Sequence, residues 1–159
     1  MSQVAVNIQI AEPDRSSIAD ALSQLLADSY TLYLKTHNYH WNVTGPHFGA
    51  LHAQFETQYT DLALAVDAVA ERIRALGHRA PGSYAEFSAR TEVVEASMEP
   101  TKAMEMVAAL ATDHQMVARA AARVFSVASA SGDEPTAGLA TTRQEVHEKA
   151  AWMLRSFLE

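Results

Sequence analysis

Cysteine is absent from the 159 residues, which removes disulfides, thiolate metal sites and a cysteine nucleophile together and fits a reducing compartment. Long apolar runs are missing as well. No stretch approaches the ~18 apolar residues of a membrane span, and Met1 to Ile10 lack the basic start and apolar run of a secretion signal. The expectation is a soluble, cytoplasmic chain. Basic residues are in short supply, 12 Lys and Arg against 19 Asp and Glu, for a formal charge of -7. Phosphate binding needs clustered Lys and Arg to displace counterions, so this balance disfavours a nucleic-acid surface and suits cations better. No Walker loop, Gly-x-Gly-x-x-Gly or Gly-x-Ser-x-Gly occurs, which leaves phosphoryl transfer and hydrolysis without support.

Glycine and proline are also few, six and five, and they fall in a handful of places with long helical stretches between them. Ser16 and Ser17 are candidate caps for a first helix bearing Ile18, Leu22, Leu25, Leu26 and Tyr33 at helical spacing and reaching about Asn42, where Gly45 and Pro46 stop it. A second helix is predicted from about Phe48 to Leu76, closed by Gly77. His78 to Pro100 forms a connection with a short helix around Tyr84 to Ala89. Pro100 marks the entrance of a third long helix, striped with Met104, Val107, Ala111, Val117, Ala121, Val124 and Ala128 and ending at Gly132. Asp133 caps a fourth, in which Leu139, Val146 and Met153 recur every seven residues with Ala150 and Phe157 between them, predicting a seam packed lengthwise on its neighbours. No strand pattern competes. A connection of roughly 24 residues far exceeds the usual 2–8 in bundles and predicts a crossover along the bundle. The fold class expected is therefore all-α: one domain over 1–159, with 1–15 as an N-terminal extension, forming a four-helix bundle of ferritin-like topology.

The second helix carries two i, i+4 polar pairs, His52 with Glu56 and Asp67 with Glu71. At ~100° per residue the four positions fall at about 0°, 40°, 60° and 100°, forming one ribbon on one face. Their heights differ: Glu56 and Asp67 are ~16 Å apart along the axis, against metal-ligand bonds of ~2.0–2.2 Å. One straight helix cannot close such a site, but a two-fold axis can, because residue 52 with 71 and residue 56 with 67 share one midpoint between residues 61 and 62. Antiparallel packing on the same helix of a second copy would set His52 beside Glu71 and Glu56 beside Asp67, twice per dimer. Read alone, the carboxylates could equally be a solvated helix face with His52 incidental. His40 strengthens the metal reading, lying five helical turns after Leu22 and so pointing in the same direction as a core position. Mixed imidazole and carboxylate ligation suits Fe(II) and its harder oxidised product. None of the seven histidines follows a Glu by three residues, so the usual di-iron motif within one bundle is missing.

The segment Lys35-Thr36-His37-Asn38-Tyr39-His40-Trp41-Asn42-Val43-Thr44-Gly45-Pro46-His47-Phe48, followed by Leu51-His52 and Phe55-Glu56, resembles the signature of the Dps or miniferritin family. Asp67 with Ala70-Glu71-Arg72-Ile73 continues it, and the closing Ala151-Trp152-Met153-Leu154-Arg155 is similar too. The resemblance spans nearly the whole chain, with Glu56 where some members have Asp. It implies a ferroxidase that stores iron in a hollow shell of twelve subunits, protecting against oxidative damage. Hydrogen peroxide is the expected oxidant and dioxygen the alternative. It also implies that positions matching His40, His52 and Glu56 ligate iron from one subunit, and those matching Asp67 and Glu71 from its two-fold partner. Some members also condense DNA through Lys-rich tails, but here Met1 to Asp14 hold no Lys or Arg, so direct DNA binding is disfavoured. His37 is a candidate for a second, weaker iron position or a surface role. His47 is expected in a loop and His114 as a buried, hydrogen-bonded residue. Tyr39 and Trp41 flank His40 as packing or as rings that absorb stray oxidising equivalents. Asp133 and Glu134 could draw cations toward a pore, although helix capping explains Asp133 equally well.

Overall fold

A computed structural model describes residues 5–159. Four long helices and one short one account for about three-quarters of it: α1 (Glu12–Asn42), α2 (Phe48–Ala75), α3 (Tyr84–Ser88), α4 (Ala103–Ala130) and α5 (Glu134–Arg155). Among the described residues there is no strand, and no helix is long and apolar enough to cross a membrane. α1 packs on α2 and on α4, and α4 on α5, with a lighter α2–α5 contact closing the bundle. The long connection between α2 and α4 carries α3, which lies against α1. The expected all-α architecture with its helix-bearing crossover is thus the observed one.

The helix ends follow local chemistry. α1 begins earlier than Ser16: Pro13 occupies the first turn with Glu12 and Asp14 beside it. Proline is preset for that turn, and acidic groups suit the positive end of the helix dipole. Ser17 instead donates to the carbonyl of Pro13. Gly77 takes φ 93°, which lets the amide of His78 bond the Ile73 carbonyl at 3.2 Å and its own amide bond Arg74 at 3.0 Å. That pair of bonds is a Schellman closure. Gly132, at φ 70°, closes α4 in the same way through Ala128 and Ser129. Asp133 then caps α5 by accepting from the amide of Thr136.

The crossover is fastened through polar groups on α1. Asp28, fully buried, accepts from the Glu92 amide at 2.7 Å and from the Thr91 hydroxyl at 3.1 Å. Lys35 pairs with Asp113 of α4 at 2.7 Å and donates to the Val94 carbonyl at 2.8 Å. One ammonium thereby ties α1, α4 and the crossover together. Phe87 of α3 stacks on Tyr30 with centroids 4.8 Å apart.

The stripe expected on the third long helix, α4, is buried at Val107, Ala111, Val117, Ala121, Val124 and Ala128, with Met104 half-buried. The seam expected on α5 is shifted by one position. Leu139, Val146 and Met153 are only half-buried, whereas Thr136, Ala140, Arg143, His147, Ala150 and Leu154 face the interior. That buried row keeps the heptad alternation of four and three, but half its members are polar. Their burial is tolerated because they bond one another and their neighbours. Arg143 donates to both oxygens of Asp61 on α2, at 3.2 and 2.7 Å, and to Nε2 of His147 at 3.2 Å. Since arginine can only donate, His147 Nε2 accepts, its proton sits on Nδ1, and it points at Nδ1 of His114 2.9 Å away. His114 is thus buried and hydrogen-bonded, as expected from its place on α4.

Burial, reinforced by Arg143, holds the His114 imidazole down to about 3, and burial also lowers His147. The unfolded chain takes up these protons near pH 6.5. Stability from the two neutral rings is therefore full above that pH and drains away as pH falls toward the folded value. Chemical denaturation between pH 7 and pH 4 should show a falling midpoint whose slope becomes shallower in His114→Gln. In the other buried polar group, Lys35→Met should cost about 3–5 kcal/mol by stranding the Asp113 carboxylate, while Lys35→Met combined with Asp113→Leu should regain most of it.

Candidate metal centre

The turn between α1 and α2, residues 43–47, folds the end of one helix against the start of the next. Val43 is buried, and its amide bonds the Tyr39 carbonyl at 2.9 Å, holding the last turn of α1 in place. His40 on that turn and His52 in the second turn of α2 then meet face to face, ring centroids 3.7 Å apart and planes 17° from parallel. Each ring bonds the other residue's backbone: His40 Nδ1 to the His52 carbonyl and His52 Nδ1 to the His40 carbonyl, both at 2.8 Å. A carbonyl only accepts, so both Nδ1 atoms must carry the proton. In the neutral imidazole each Nε2 then keeps a free lone pair, the form in which the ring ligates a metal, and the carbonyl bonds fix the rings' orientation as an outer shell does. Phe48 stacks against His52 at 5.1 Å. His40 is buried and His52 half-buried, so solvent reaches the pair from one side.

The carboxylates do not converge on the imidazoles within the chain. Glu56 follows His52 by one turn of α2 and is exposed, and Asp67 and Glu71 lie further along the helix, also exposed. Among the described residues, no three His, Asp or Glu side chains gather as a metal-holding group. Of the five predicted site residues the structure brings together His40 and His52 and leaves Glu56, Asp67 and Glu71 as an open ribbon on α2.

The surroundings hold features that the residue types alone did not announce. Tyr59 stands edge-on to His40 at 5.1 Å and stacks on His37 at 4.1 Å. Its spacing of seven residues from His52 put it on the same face of α2 and was the available signal. His37, flanked by Tyr59 and by Trp41 at 3.9 Å, has its pKa lowered by burial and by His40. Tyr39 turns into the core beneath Lys35, whose ammonium is 6.0 Å from the ring centre. It does not stack beside His40, so of the two flanking rings only Trp41 stays on the site's side. Asp133 is 1% exposed and bound by Arg72 at 2.8 Å, which makes it a cap and an ion-pair partner and leaves it no free charge to attract cations.

The chain matches the Ferritin-like domain family over residues 19–159. It is 40% identical over 158 residues to an uncharacterized low temperature-induced protein of Nostoc, covering 97% of this chain and 87% of that one. With DNA protection during starvation protein 2 of Bacillus anthracis it shares 37% identity over 141 residues, 89% of this chain and 96% of the relative. The crystal structure of the DPS protein of Vibrio cholerae O1, described as a member of a broad superfamily of ferritin-like diiron-carboxylate proteins, superposes with a TM-score of 0.92 at 30% identity, over 100% of both chains. By its fold, its facing histidines and these relatives, the chain belongs to the Dps branch of the ferritin-like family.

Proposed function

We propose that this protein is a ferroxidase that binds Fe(II) at sites shared between two copies, oxidises it with hydrogen peroxide or, alternatively, dioxygen, and stores the ferric product inside a twelve-subunit shell in the cytoplasm. The observation that carries this reading is the reciprocal lock of His40 and His52, which spends both Nδ1 atoms on carbonyls and leaves both Nε2 atoms for iron. His40, His52 and Glu56 would act with Asp67 and Glu71 of the partner subunit. The exposed face of α2 supports the sharing. Leu64 is 73% exposed and lies about 20° beyond the edge of the polar ribbon and two to three residues along the axis from its midpoint, where a large apolar side chain has reason to meet another copy. Iron here is substrate and cargo. Two Fe(II) ions held together give peroxide its two electrons at once; with two protons it leaves as two waters and no hydroxyl radical is released. The carboxylates then favour the harder ferric ion.

The shared site is tested by complementation. His52→Ala with Glu56→Ala should assemble yet oxidise Fe(II) at least ~10-fold more slowly, the scale of a metal-site lesion. Asp67→Asn with Glu71→Gln should be similarly impaired. Unfolded together and reassembled at random, about half the dimers are mixed, and two-fold symmetry collects every lesion of a mixed dimer in one of its two sites. Roughly a quarter of normal activity should return. No recovery in a sample that mass spectrometry shows to contain mixed dimers would rule out the shared site.

Direct binding to DNA is not part of the proposal. At ~150 mM salt without divalent cations, the purified protein should leave duplex DNA unshifted on a gel, since its net charge of -7 offers no counterion release. A shift at sub-micromolar protein would give the chain a second, architectural activity.

A further inference from the structure

Five rings form a continuous line beside the facing histidines. From α1 come Tyr30, Tyr33, His37 and Trp41, spaced three and four residues apart and so on one face of the helix. Tyr59 of α2 joins them. Trp41 lies 3.9 Å from His37, His37 is 4.1 Å from Tyr59, Tyr59 is 6.3 Å from Tyr33, and Tyr33 is 5.7 Å from Tyr30, all between ring centroids. Tyr59 is the ring in edge contact with His40, at 5.1 Å. Beyond Tyr30 comes Phe87 at 4.8 Å, which has no phenol to oxidise and ends the line. Tyrosine and tryptophan are the side chains that most readily give up a single electron, and here four of them are strung together next to one candidate iron site.

We propose that Tyr59, Tyr33 and Tyr30, joined to Trp41 through His37, form a relay that carries a single oxidising equivalent away from His40 and His52. The relay depends on the iron-oxidising reading for the source of its oxidant, but not for the ability of the rings to pass that oxidant on. The need arises when only one Fe(II) is bound. That ion gives peroxide one electron, the O–O bond breaks, and Fe(III), hydroxide and hydroxyl radical result. The radical takes the hydrogen atom from the Tyr59 hydroxyl and becomes water, leaving a tyrosyl radical. Tyr33 then returns an electron and a proton to Tyr59, and Tyr30 does the same for Tyr33. The balance is one Fe(II) and one tyrosine each oxidised by one electron, and one peroxide reduced by two to hydroxide and water. All three tyrosines are half-buried, so water can receive and return the phenolic protons while the radicals stay shielded from bulk reactants. The imidazoles, which are the irreplaceable groups, are spared.

The rings can be tested without iron. In a Trp152→Phe background Trp41 is the sole tryptophan of the chain's two, and azide radicals made by pulse radiolysis oxidise it. The tryptophanyl absorption should give way to tyrosyl absorption, and Tyr59→Phe, which keeps the packing and removes the hydroxyl, should abolish that conversion. Conversion at the unaltered rate in Tyr59→Phe would overturn the relay. A second arm uses the assembled protein with substoichiometric Fe(II) and hydrogen peroxide. Freeze-quenched samples should show a tyrosyl signal by electron paramagnetic resonance, and peptide mapping should find His40 and His52 intact. Tyr33→Phe with Tyr59→Phe should lose the signal and accumulate oxidised histidine at both positions. Equal histidine damage in both proteins while Fe(II) is consumed would also overturn the relay. If the wild type consumes no Fe(II), the ferroxidase reading fails and the radiolysis result alone decides the relay.

Discussion

Two imidazoles that exchange hydrogen bonds with each other's backbone hold the α1–α2 hairpin shut at the place where chemistry is possible. Each 2.8 Å bond does two things. It ties a ring to the backbone of the facing helix, in one case to the His40 carbonyl of the last turn of α1, which has no partner within its own helix, and it places a ring proton on Nδ1. Breaking one bond would free a ring to turn and would also remove a strut between the helices, so ligand geometry and local structure cannot be separated here. The rings sit 3.7 Å apart with planes 17° from parallel, so neither can turn without displacing the other. The same lock thus holds both rings in one fixed mutual orientation.

The bundle interior explains why the candidate site lies on a surface. The carboxylates that reach the interior are already engaged: Asp113 with Lys35 at 2.7 Å, Asp61 with Arg143 at 2.7 Å, Asp133 with Arg72 at 2.8 Å, and Asp28 with the Glu92 amide at 2.7 Å. The space between the helices is occupied by a guanidinium and two histidines whose charged forms burial opposes. A divalent cation placed there would meet an arginine and no free carboxylate. With the inside of the bundle committed to cross-linking α2, α4 and α5, the acidic ribbon of α2 is the remaining carboxylate face beside the imidazoles, and it faces outward.

Much of this was legible in the sequence, for identifiable reasons. Long apolar stripes, glycines at helix ends and the extended crossover each have one dominant physical cause, and the helices, their order and the α2 ribbon followed from them. That His40 and His52 act together came from the family resemblance, and the short turn between their helices is what brings the two rings face to face. The failures were of another kind. The seam on α5 was misplaced by one residue because Thr136, Arg143 and His147 read as polar, and only their partners on other helices make them interior. Ser16 and Ser17 looked like caps, yet Pro13 had already started the helix. Asp133 allowed two readings, cap or cation attractor; the cap is the one that forms, and Arg72, 61 residues away, pairs with its charge. Tyr39 adjoins His40 in sequence but helix geometry turns it to the core, whereas Tyr59 is distant in sequence and adjacent in space. Except for the serines, where Pro13 of the same helix decides, the deciding partner lay on another element or on another face of the helix.

The proposed shared site also places a demand on α2 that its packing alone would not. Residue 52 matches 71 and residue 56 matches 67 about one midpoint only if the rise and rotation per residue are uniform between them. A kink, or a single inserted residue, would move one half of the ribbon by ~1.5 Å along and ~100° around the axis relative to the other, and both sites of a dimer would be lost together. From Ala50 to Ala75 the helix contains neither glycine nor proline, the residues most apt to bend it. Its inner face is anchored by Leu51, Phe55, Leu62, Val69 and Ile73, all fully buried. Those side chains recur along the whole length over which the ribbon must stay in register. The apolar face of α2 therefore acts as the ruler for its polar face, and core packing and site geometry become one constraint on the same run of residues.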